Sequence, residues 1–482
     1  MRKTLAILLI LLAVFTSSAL AQWSTPVRIS DPNGCLDPQI LAQSDTLHVI
    51  YSVLAPFRGL GYIRSTDVGR TWSQEIELSD VDQTMSPIYP RIMAWHNQLL
   101  AVWIAYFRSG FYRLNIGYSI SSDNGQRWSP TSYILAHNLG TLGSMTAANN
   151  DSVVNIIYTI GDSVFCDLRS ANFGTTWSQP VEILRMAHTF KTDQAASDSM
   201  VHFTWDGVFN DNDISEVYYF RSIDWGLNWS ENALISSVDN YISEASNITT
   251  DEFGNPAISW WDFKYSPFPT SGDILTRWST DQGTTWGLEN QVTNNHLADL
   301  SDISWAQDTI RIAWIDWRLG GNNISIYYKF ANDRDGIWSP EERIDNIEYI
   351  DAISHVPAIT VSNGTVYIVW YEDCCDDFNP DCCGIYFTKN PADPDAVDND
   401  ILPGESASLS AYPNPFNSAT TITLTSAEQA EIDIYDITGR LITTLHTTSG
   451  RAVWDAGAYS SGLYFARLAG EQAETIKLVL IK

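Results

Sequence analysis

The chain contains 482 residues, which is enough for more than one domain and for a large buried core. Its 57 acidic and 27 basic residues give a formal net charge of −30, and this excludes nucleic-acid binding, which needs a basic surface. The same charge opposes electrostatic steering of anionic ligands toward the protein.

The N-terminus has the pattern of an export signal. Arg2 and Lys3 precede an apolar run over residues 5–15, and ALA at 19–21 is a small-x-small cleavage site. A membrane anchor is the alternative, but the run is short for a bilayer, and no later stretch is long and apolar enough to cross one. We therefore predict a signal peptide over residues 1–21 and no transmembrane segment.

An eight-residue motif, S-x-D-x-G-x-x-W, recurs along the chain, and we call its copies the boxes. The short acidic side chain can hold a tight turn, glycine can take a positive φ, and tryptophan can cover the turn. A worn copy ends at Trp338, and Trp23 begins a related segment without a box. We predict a structural role for the third box residue in each clear copy: Asp67, Asp123, Asn172, Asp224 and Asp281.

The box tryptophans recur about every fifty residues, a period that indicates a propeller or a solenoid. Between boxes lie an apolar strand, a turn and an alternating strand, then a third strand into the box and a fourth after its tryptophan. Each unit is thus a four-stranded antiparallel blade. The last unit stops at Asn390 without a fourth strand, which the segment at Trp23 can supply, closing the ring. We predict an all-β, seven-bladed β-propeller over residues 22–390, with six blades as the alternative if the third unit is incomplete.

Carboxylates follow the second strand in several units. Asp262, Asp316 and Glu372 each lie two residues after a strand-ending tryptophan, and Asp206 directly follows Trp205. Paired carboxylates across a pocket can cleave a glycosidic bond. We therefore consider the first three as catalytic candidates and Asp206 as a substrate-binding one.

Arginines occur in the corresponding loops. Arg318 lies two residues after Asp316, and Arg108 and Arg58 follow the second strands of earlier units. Arginine can grip a substrate carboxylate with two hydrogen bonds, so all three are candidate substrate-binding residues. The alternative is that the W-x-D-x-R pattern braces the blade loops through ion pairs and hydrogen bonds.

Four cysteines lie in one acidic loop, CCDDFNPDCC. In an oxidising compartment we expect local disulfides among Cys374, Cys375, Cys382 and Cys383, with metal thiolates as the alternative. Cys35 and Cys166 stay unassigned. No cofactor or metal is required by any motif, although calcium could bind carboxylates of this loop: Glu372, Asp373, Asp376, Asp377 and Asp381.

The chain continues with an acidic, Pro- and Gly-containing linker over residues 391–408. Residues 409–482 contain short alternating segments that fit a small Ig-like β-sandwich.

The boxes resemble the Asp-box, or BNR, repeats of sialidases and related propellers, and the resemblance covers residues 23–390. It implies that the boxes join the third and fourth strands on the face opposite the active site. Such enzymes also carry an R-I-P motif in the first blade, three arginines and a Tyr–Glu pair. Here YPRI at 89–92 only echoes the first motif, in a different order and one blade later.

The C-terminal segment resembles the type A sorting domain of the type IX secretion system. The matching motifs are YPNPFN (412–417), IYDITGR (434–440), WD (454–455), SGLYFARL (461–468) and KLVLIK (477–482). The resemblance implies recognition by that secretion machinery, passage across the outer membrane of a Bacteroidetes-like bacterium, and cleavage of the tail. An ordinary Ig-like module is the alternative.

These patterns leave two hypotheses for the function. The first is a secreted or cell-surface propeller that binds extracellular glycans, glycoproteins or other ligands through loops on one face. The second is a sialidase-like glycoside hydrolase that uses the carboxylates and an arginine clamp on that face.

Overall fold

In the computed structural model, the chain forms strands, turns and loops. Contacts between residues divide it into two compact units, Met1–Ala392 and Asp393–Lys482. The predicted signal peptide and nearly all of the predicted linker lie outside the described residues and stay predictions. The described residues are 23–31, 35–53, 59–79, 84–107, 114–134, 142–161, 163–185, 188–208, 214–266, 272–320, 323–332, 336–345, 352–354, 356–374, 383–391, 409–412, 414, 416–424, 431–437, 440–447, 451–468 and 475–481.

The first unit is all-β and consists of repeated antiparallel sheets that resemble propeller blades. After a short strand β1 (Val27–Arg28), the described residues form six four-stranded sheets in which consecutive strands pair. Sheet 1 is β2 (Cys35–Gln43), β3 (Thr46–Val53), β4 (Gly59–Ser65) and β5 (Ile76–Glu77); sheet 2 is β6 (Thr84–Trp95), β7 (Gln98–Phe107), β8 (Leu114–Ser121) and β9 (Ser132–Ile134); sheet 3 is β10 (Leu142–Asn150), β11 (Val153–Ile160), β12 (Val164–Ser170) and β13 (Val181–Arg185). Sheet 4 is β14 (His188–Ser197), β15 (Met200–Val208), β16 (Glu216–Ser222) and β17 (Ala233–Leu234); sheet 5 is β18 (Ser243–Thr250), β19 (Pro256–Asp262), β20 (Asp273–Trp278) and β21 (Asn290–Gln291); sheet 6 is β22 (Ala298–Ala306), β23 (Thr309–Asp316), β24 (Ser325–Asn332) and β25 (Glu342–Arg343).

A further sheet combines the two ends of this unit. It contains β26 (Ala352–Ser354), β27 (Ala358–Ser362), β28 (Thr365–Cys374) and β29 (Gly384–Asn390), and β1 pairs with β29 at its outer edge. Val27 lies opposite Phe387, and the Ser24 amide donates to the Lys389 carbonyl at 2.9 Å. The predicted pairing of the N-terminal segment with the last unit is confirmed, and we call this sheet 7.

The hydrophobic core of the first unit lies between neighbouring sheets. The first strands of successive sheets contact one another in chain order, and β27 of sheet 7 contacts β2 of sheet 1. Separate clusters of buried side chains fill the spaces between adjacent sheets, including the space between sheets 7 and 1. Burying one leucine, isoleucine or phenylalanine side chain contributes roughly 2 to 3 kcal/mol. Since these side chains are buried between sheets, each sheet is stabilised mainly by its two neighbours.

The boxes form tight turns between the third and fourth strands of a sheet. In the first box, the Ser65 hydroxyl donates to Asp67 Oδ1 at 2.7 Å and accepts from the Gly69 amide at 2.8 Å. Asp67 Oδ1 also accepts from the Thr71 amide at 2.9 Å, and Gly69 has a φ of 87°. The same contacts recur around Asp123, Asn172, Asp224 and Asp281.

The box tryptophans connect one sheet to the preceding one. The ring of Trp72 lies 5.1 Å from that of Phe387 in sheet 7, and Trp128 lies 4.9 Å from Tyr62 in sheet 1. The sequence predicted that tryptophan covers the turn; the rings of Trp72 and Trp128 in addition reach a third-strand aromatic of the neighbouring sheet, whereas Trp229 lies 5.1 Å from Phe220 of its own sheet. Trp23 occupies the corresponding place against Tyr328 at 4.9 Å, which explains a repeated tryptophan without a box.

The second unit consists of two antiparallel sheets around one core. The three-stranded sheet is β30 (Leu409–Tyr412), β31 (Ala419–Leu424) and β34 (Arg451–Asp455); the four-stranded sheet is β33 (Leu441–His446), β32 (Glu431–Asp436), β35 (Gly462–Leu468) and β36 (Thr475–Leu480). Side chains from both sheets, among them Ile422, Ile434 and Trp454, share this core. In neither unit do the described residues include a helix able to cross a membrane.

Candidate functional site

The first strands of the sheets carry β-bulges near their beginnings. Pairing with the second strand shifts between Leu36 and Gln39 in sheet 1, between Thr189 and Lys191 in sheet 4, and between Glu244 and Asn247 in sheet 5. A bulge places an extra residue on one strand and redirects the neighbouring side chains. The bulges therefore let charged side chains point away from the packed faces of the sheets.

A cavity of about 430 Å³ lies among these bulged segments. This volume is in the range of small-molecule binding sites, which combine apolar walls with a few polar groups. The aromatic lining residues are Tyr89, Phe190 and Trp261, and the charged ones are Asp37, Arg91, Lys191, Asp193, Asp206, Glu244 and Asp302.

Asp206 lies in the cavity wall with no exposed surface. Its Oδ1 accepts from the amide and the hydroxyl of Ser246, both at 3.1 Å, whereas Oδ2 has no hydrogen-bond partner. Burial raises the pKa of the Asp206 carboxyl to about 7. This predicted substrate-binding residue thus has one oxygen atom without a protein partner, and that atom is itself buried.

Lys191 is the register partner of Asp206 across the ladder, but the two side chains form no ion pair. The Lys191 ammonium donates instead to Asn247 Oδ1 at 2.7 Å. Burial lowers its pKa, while the neighbouring Asp193 carboxylate acts in the opposite direction. An ammonium has three donors, so Lys191 keeps two for a ligand.

Two further carboxylates of the lining join neighbouring sheets. Asp193 accepts from the Ile248 amide of sheet 5 at 3.1 Å, and Arg91 of sheet 2 approaches it at 3.8 Å. Asp302 accepts from the amides of Ile303 and Ile359, both at 2.9 Å, the second of which belongs to sheet 7. These carboxylates hold the first strands together around the cavity.

Glu244 differs from these bridging carboxylates. It is half-buried opposite Trp261 in the ladder and makes no hydrogen bond to another described side chain or backbone group. Burial raises the pKa of its carboxyl, the nearby charge of Asp299 acts in the same direction, and His188 opposes both. Glu244 is therefore a second lining carboxyl with oxygen atoms available to a ligand.

The predicted catalytic residues Asp316, Asp262 and Glu372 do not line this cavity. Each is almost fully buried in its own sheet and accepts from the indole of the tryptophan two residues earlier, at 3.3, 2.8 and 2.9 Å respectively. Ser243 also donates to Asp262 at 3.0 Å, and Ser354 donates to Glu372 at 2.7 Å. Their partners are those of bracing residues, and a catalytic role for them stays a prediction.

Arg318 is occupied by contacts within the protein. Its Nη2 lies 2.6 Å from Asp316, its Nη1 pairs with Glu341, and its guanidinium stacks 4.0 Å above the Tyr327 ring. Burial alone would lower the pKa of Arg318, but the hydrogen bonds that it donates to both acids raise it. Substrate binding by Arg318 stays a prediction.

Several predicted site residues lie outside the described residues: Arg58, Arg108, Cys375, Asp376, Asp377, Asp381 and Cys382. The disulfides of this loop and a calcium site there stay predictions.

Sequence reasoning missed most of the charged lining, including Arg91, Lys191 and Glu244. Arg91 was considered only as part of the YPRI motif, and Lys191 and Glu244 were not singled out; all three lie in first strands, whose pattern is largely apolar. The available signal was the presence of charges within that apolar pattern, as in FKTDQAA from Phe190.

Residues 410–482 match the secretion system C-terminal sorting domain. The predicted sorting domain is thereby confirmed, and the protein is exported by the type IX system of Bacteroidetes-type bacteria to the medium or the cell surface. No curated protein sequence matches the chain.

The solved structures with similar folds include an ulvan lyase, a protein of unknown function and an α-L-arabinofuranosidase. An ulvan lyase, a polysaccharide lyase, superposes with a TM-score of 0.54 at 12% identity, covering 75% of this chain and 94% of the lyase. A Dyadobacter fermentans protein of unknown function gives 0.48 at 12% identity, covering 77% and 98%. A Fusarium graminearum α-L-arabinofuranosidase gives 0.48 at 10% identity, covering 76% and 97%. At these identities, the ulvan lyase match supports the fold of the first unit and nothing about its ligand.

Proposed function

We propose that this exported protein binds a carbohydrate in the cavity among the first strands. The observation that carries the proposal is the composition of the lining, where aromatic rings stand beside charged groups with unused hydrogen-bonding capacity. Sugar rings offer both an apolar face and many hydroxyl groups, so they need both kinds of contact. Export places such a site in contact with extracellular glycans.

Phe190 is the aromatic residue that best supports this proposal. It lies in the bulge of β14, lines the cavity and has 50% of its surface exposed. An aromatic ring left half-exposed at the edge of a cavity gains apolar contact when a ligand covers it. The ring of His188 packs edge-on against it at 4.5 Å and restricts its position.

The ulvan lyase structure contains a bound disaccharide repeat of glucuronate and sulfated rhamnose. It supports the choice of polysaccharide fragments as the first ligands to test. The unused donors of Lys191 suit hydroxyl or carboxylate oxygens, so both neutral and acidic sugars belong in the test.

Binding is tested with the full chain on an array of oligosaccharides that includes ulvan, arabinan and sialylated fragments. We expect binding to at least one class, and we expect Phe190→Ala to weaken it about tenfold, because the substitution removes roughly 1.4 kcal/mol of apolar contact. Phe253→Ala is the matched control, since this ring is 62% exposed and lies outside the cavity lining. Absence of binding to the array, or equal losses in both variants, would overturn the proposal.

We also infer that sheets 1 to 7 are the blades of a seven-bladed propeller with the cavity near its axis, and that the second unit is Ig-like. The order of contacts among first strands supports the blade number, including the contact between β27 and β2. The third unit, on which the six-bladed alternative depended, forms a four-stranded sheet. A crystal structure with another number of blades around the axis would contradict this inference.

A further inference from the structure

We propose that Cys35 and Cys383 form a disulfide bond that ties sheet 1 to sheet 7. This modification is independent of carbohydrate binding. It changes one expectation from the sequence, because Cys383 then pairs across two sheets instead of within its own loop. The other cysteines of that loop, Cys374, Cys375 and Cys382, can still supply one local pair.

The two cysteines come from opposite ends of the first unit and lie where its first and last sheets are in contact. Cys35 is the first residue of β2 in sheet 1, and Cys383 directly precedes β29 in sheet 7. Cys35 is buried in one hydrophobic cluster together with Tyr371 and Ile385 of sheet 7. Ile385 is two residues from Cys383, so the core around Cys35 includes the strand that follows Cys383.

Ser30 connects the surroundings of the two cysteines through its hydroxyl group. This hydroxyl is in hydrogen-bond contact with the Cys35 sulfur and accepts a hydrogen bond from the Ile385 amide at 2.9 Å. The same oxygen atom would lie 2.9 Å from a Cβ atom placed on Gly384, the residue after Cys383. A disulfide joins residues whose Cα atoms are about 4.4 to 6.8 Å apart. Two cysteines on either side of one hydroxyl group lie near that range.

Electrostatics supports the same proximity. Burial raises the pKa of the Cys35 thiol to about 12, the charges of Glu75 and of a Cys383 thiolate act in the same direction, and the hydrogen bond with Ser30 opposes them. The interaction between two charges weakens as their separation grows. An effect of Cys383 on the pKa of Cys35 therefore indicates that the two sulfur atoms are close together.

The place of this bond in the fold gives it a structural purpose. Sheets 1 and 7 join the beginning of the first unit to its end, and β1, which pairs the N-terminal segment with sheet 7, has only 2 residues. A bond between Cys35 and Cys383 closes a loop of about 350 residues, and in the chain-entropy account long loops give the largest stabilisation. Asp37, two residues after Cys35, lines the cavity, so the bond also anchors this part of the cavity wall.

The reaction is an exchange with a disulfide oxidant, such as a low-molecular-weight disulfide in an oxidising compartment outside the cytoplasm. The Cys383 thiolate attacks one sulfur of the oxidant, the sulfur–sulfur bond breaks, and one thiolate leaves. The Cys35 thiolate then attacks the Cys383 sulfur of this mixed disulfide and displaces it from the second oxidant thiolate. The two protein thiols lose two electrons and two protons in total, and the oxidant becomes two thiols.

Burial decides when the bond forms and how it resists reduction. Cys35 is 1% exposed and its high pKa keeps it protonated in the folded protein, so we expect the bond to form before sheets 1 and 7 have packed together. Cys383 is less buried and is the sulfur that a reductant can reach. Attack there must expel the Cys35 thiolate, and thiolates of high pKa leave slowly. The finished bond should therefore withstand reductant in the folded protein and break after unfolding.

The first test is a peptide map of the exported protein, purified from the medium or the cell surface. The protein is unfolded in urea with an alkylating reagent, digested with trypsin without reduction and analysed by mass spectrometry. Trypsin leaves Cys35 in the peptide 29–58 and the four loop cysteines in the peptide 344–389. We expect a linked species that contains both peptides and separates on reduction. The link should persist in Cys382→Ser and disappear in Cys383→Ser.

The second test is thermal unfolding with and without reductant. We expect reduction of the unfolded protein, followed by refolding in reductant, to lower the melting temperature of the wild type by about 5 to 10 °C. This fall should be largely lost in Cys35→Ala and kept in Cys166→Ala. Cys166 is the matched control, because it is also a buried cysteine but lies in β12 of sheet 3. Comparing each variant with and without reductant cancels the packing cost of its own substitution.

Each outcome supports or overturns the bond without reference to glycan binding. A map in which the peptide 29–58 carries only alkylated Cys35 overturns the proposal. A link that survives Cys383→Ser overturns it too, because another cysteine of the loop is then the partner. An equal fall in melting temperature on reduction of Cys35→Ala and of the wild type overturns the stabilising role of the bond.

Discussion

Replacing Asp316 with asparagine separates a bracing role for this residue from a catalytic one. Asp316 has no exposed surface and accepts from Asn295 at 2.9 Å and from the Trp314 indole at 3.3 Å. Arg318 donates to it from its amide, Nε and Nη2, at 2.9, 2.9 and 2.6 Å. Asparagine has an NH₂ group in place of one carboxylate oxygen, and this group cannot accept the hydrogen bonds that the oxygen accepted. The substitution therefore leaves a partly buried guanidinium without its main acceptor.

The size of the effect follows from the burial of the two partners. Removing one member of a buried ion pair costs about 3 to 5 kcal/mol. The Arg318 side chain is 23% exposed, so water recovers part of this, and we expect a loss of about 2 to 3 kcal/mol in the free energy of unfolding. Glu341→Gln is the matched control, because Glu341 pairs with the same arginine from a side chain that is 37% exposed. We expect a loss below about 1 kcal/mol for this control.

Urea unfolding of the full chain, followed by tryptophan fluorescence, measures both variants. A lower urea midpoint for Asp316→Asn than for Glu341→Gln, with glycan binding unchanged below the transition, supports the bracing role. If Asp316→Asn unfolds like the wild type but loses glycan binding, the reasoning is refuted, and Asp316 returns as a candidate site residue.

Three further predictions concern the box turns, the cavity and the tail. Gly69→Ala should lower the urea midpoint more than Gly161→Ala: both have positive φ, but a Cβ at Gly69 would meet the Phe387 ring, whereas Gly161 has open space around it. Asp206→Asn should stabilise the protein above pH 7. The pKa of the Asp206 carboxyl is about 7 in the folded protein and lower in the unfolded chain, so the carboxyl favours folding below about pH 4 and loses that contribution, on the order of 4 kcal/mol, as pH rises through 7. Urea midpoints measured across this pH range test the prediction, and parallel profiles for variant and wild type would contradict it. Deletion of residues 410–482 should keep the protein from reaching the medium or the cell surface, as measured by cell fractionation, and unchanged export would contradict the role of the sorting domain.

The blades were predictable because their turns are local. Ser65, Asp67 and Gly69 form the turn within five residues, so their spacing is visible in one short stretch of sequence. The sorting domain was predictable for a similar reason, since several short motifs recur in order. The contact of each box tryptophan with the preceding sheet was not predictable, because Trp72 and Phe387 are more than three hundred residues apart.

The cavity lining could not be assembled from the sequence for a different reason. Which side chain of a strand points inward depends on the register, and a one-residue bulge reverses it. In β14 the shift between Thr189 and Lys191 turns a lysine toward the cavity, although the alternating pattern gives no sign of it. Sequence reasoning located Asp206 only because it follows a conspicuous strand-ending tryptophan.

Carboxylates near the end of the second strand serve different purposes in different sheets, and their hydrogen bonds distinguish them. Asp316 and Asp262 have donors on both oxygen atoms, including the indole of the preceding tryptophan. Asp206 has donors on one oxygen only. It directly follows Trp205, so the two side chains point to opposite faces of the strand, and the Trp205 indole donates to Asn232 at 3.0 Å. Asp206 therefore differs from Asp262 and Asp316 both in its position relative to the tryptophan and in having one oxygen atom without a partner. The hydrogen-bond partners of each carboxylate, rather than its place after a tryptophan, therefore separate the carboxylates that brace a sheet from the one that lines the cavity.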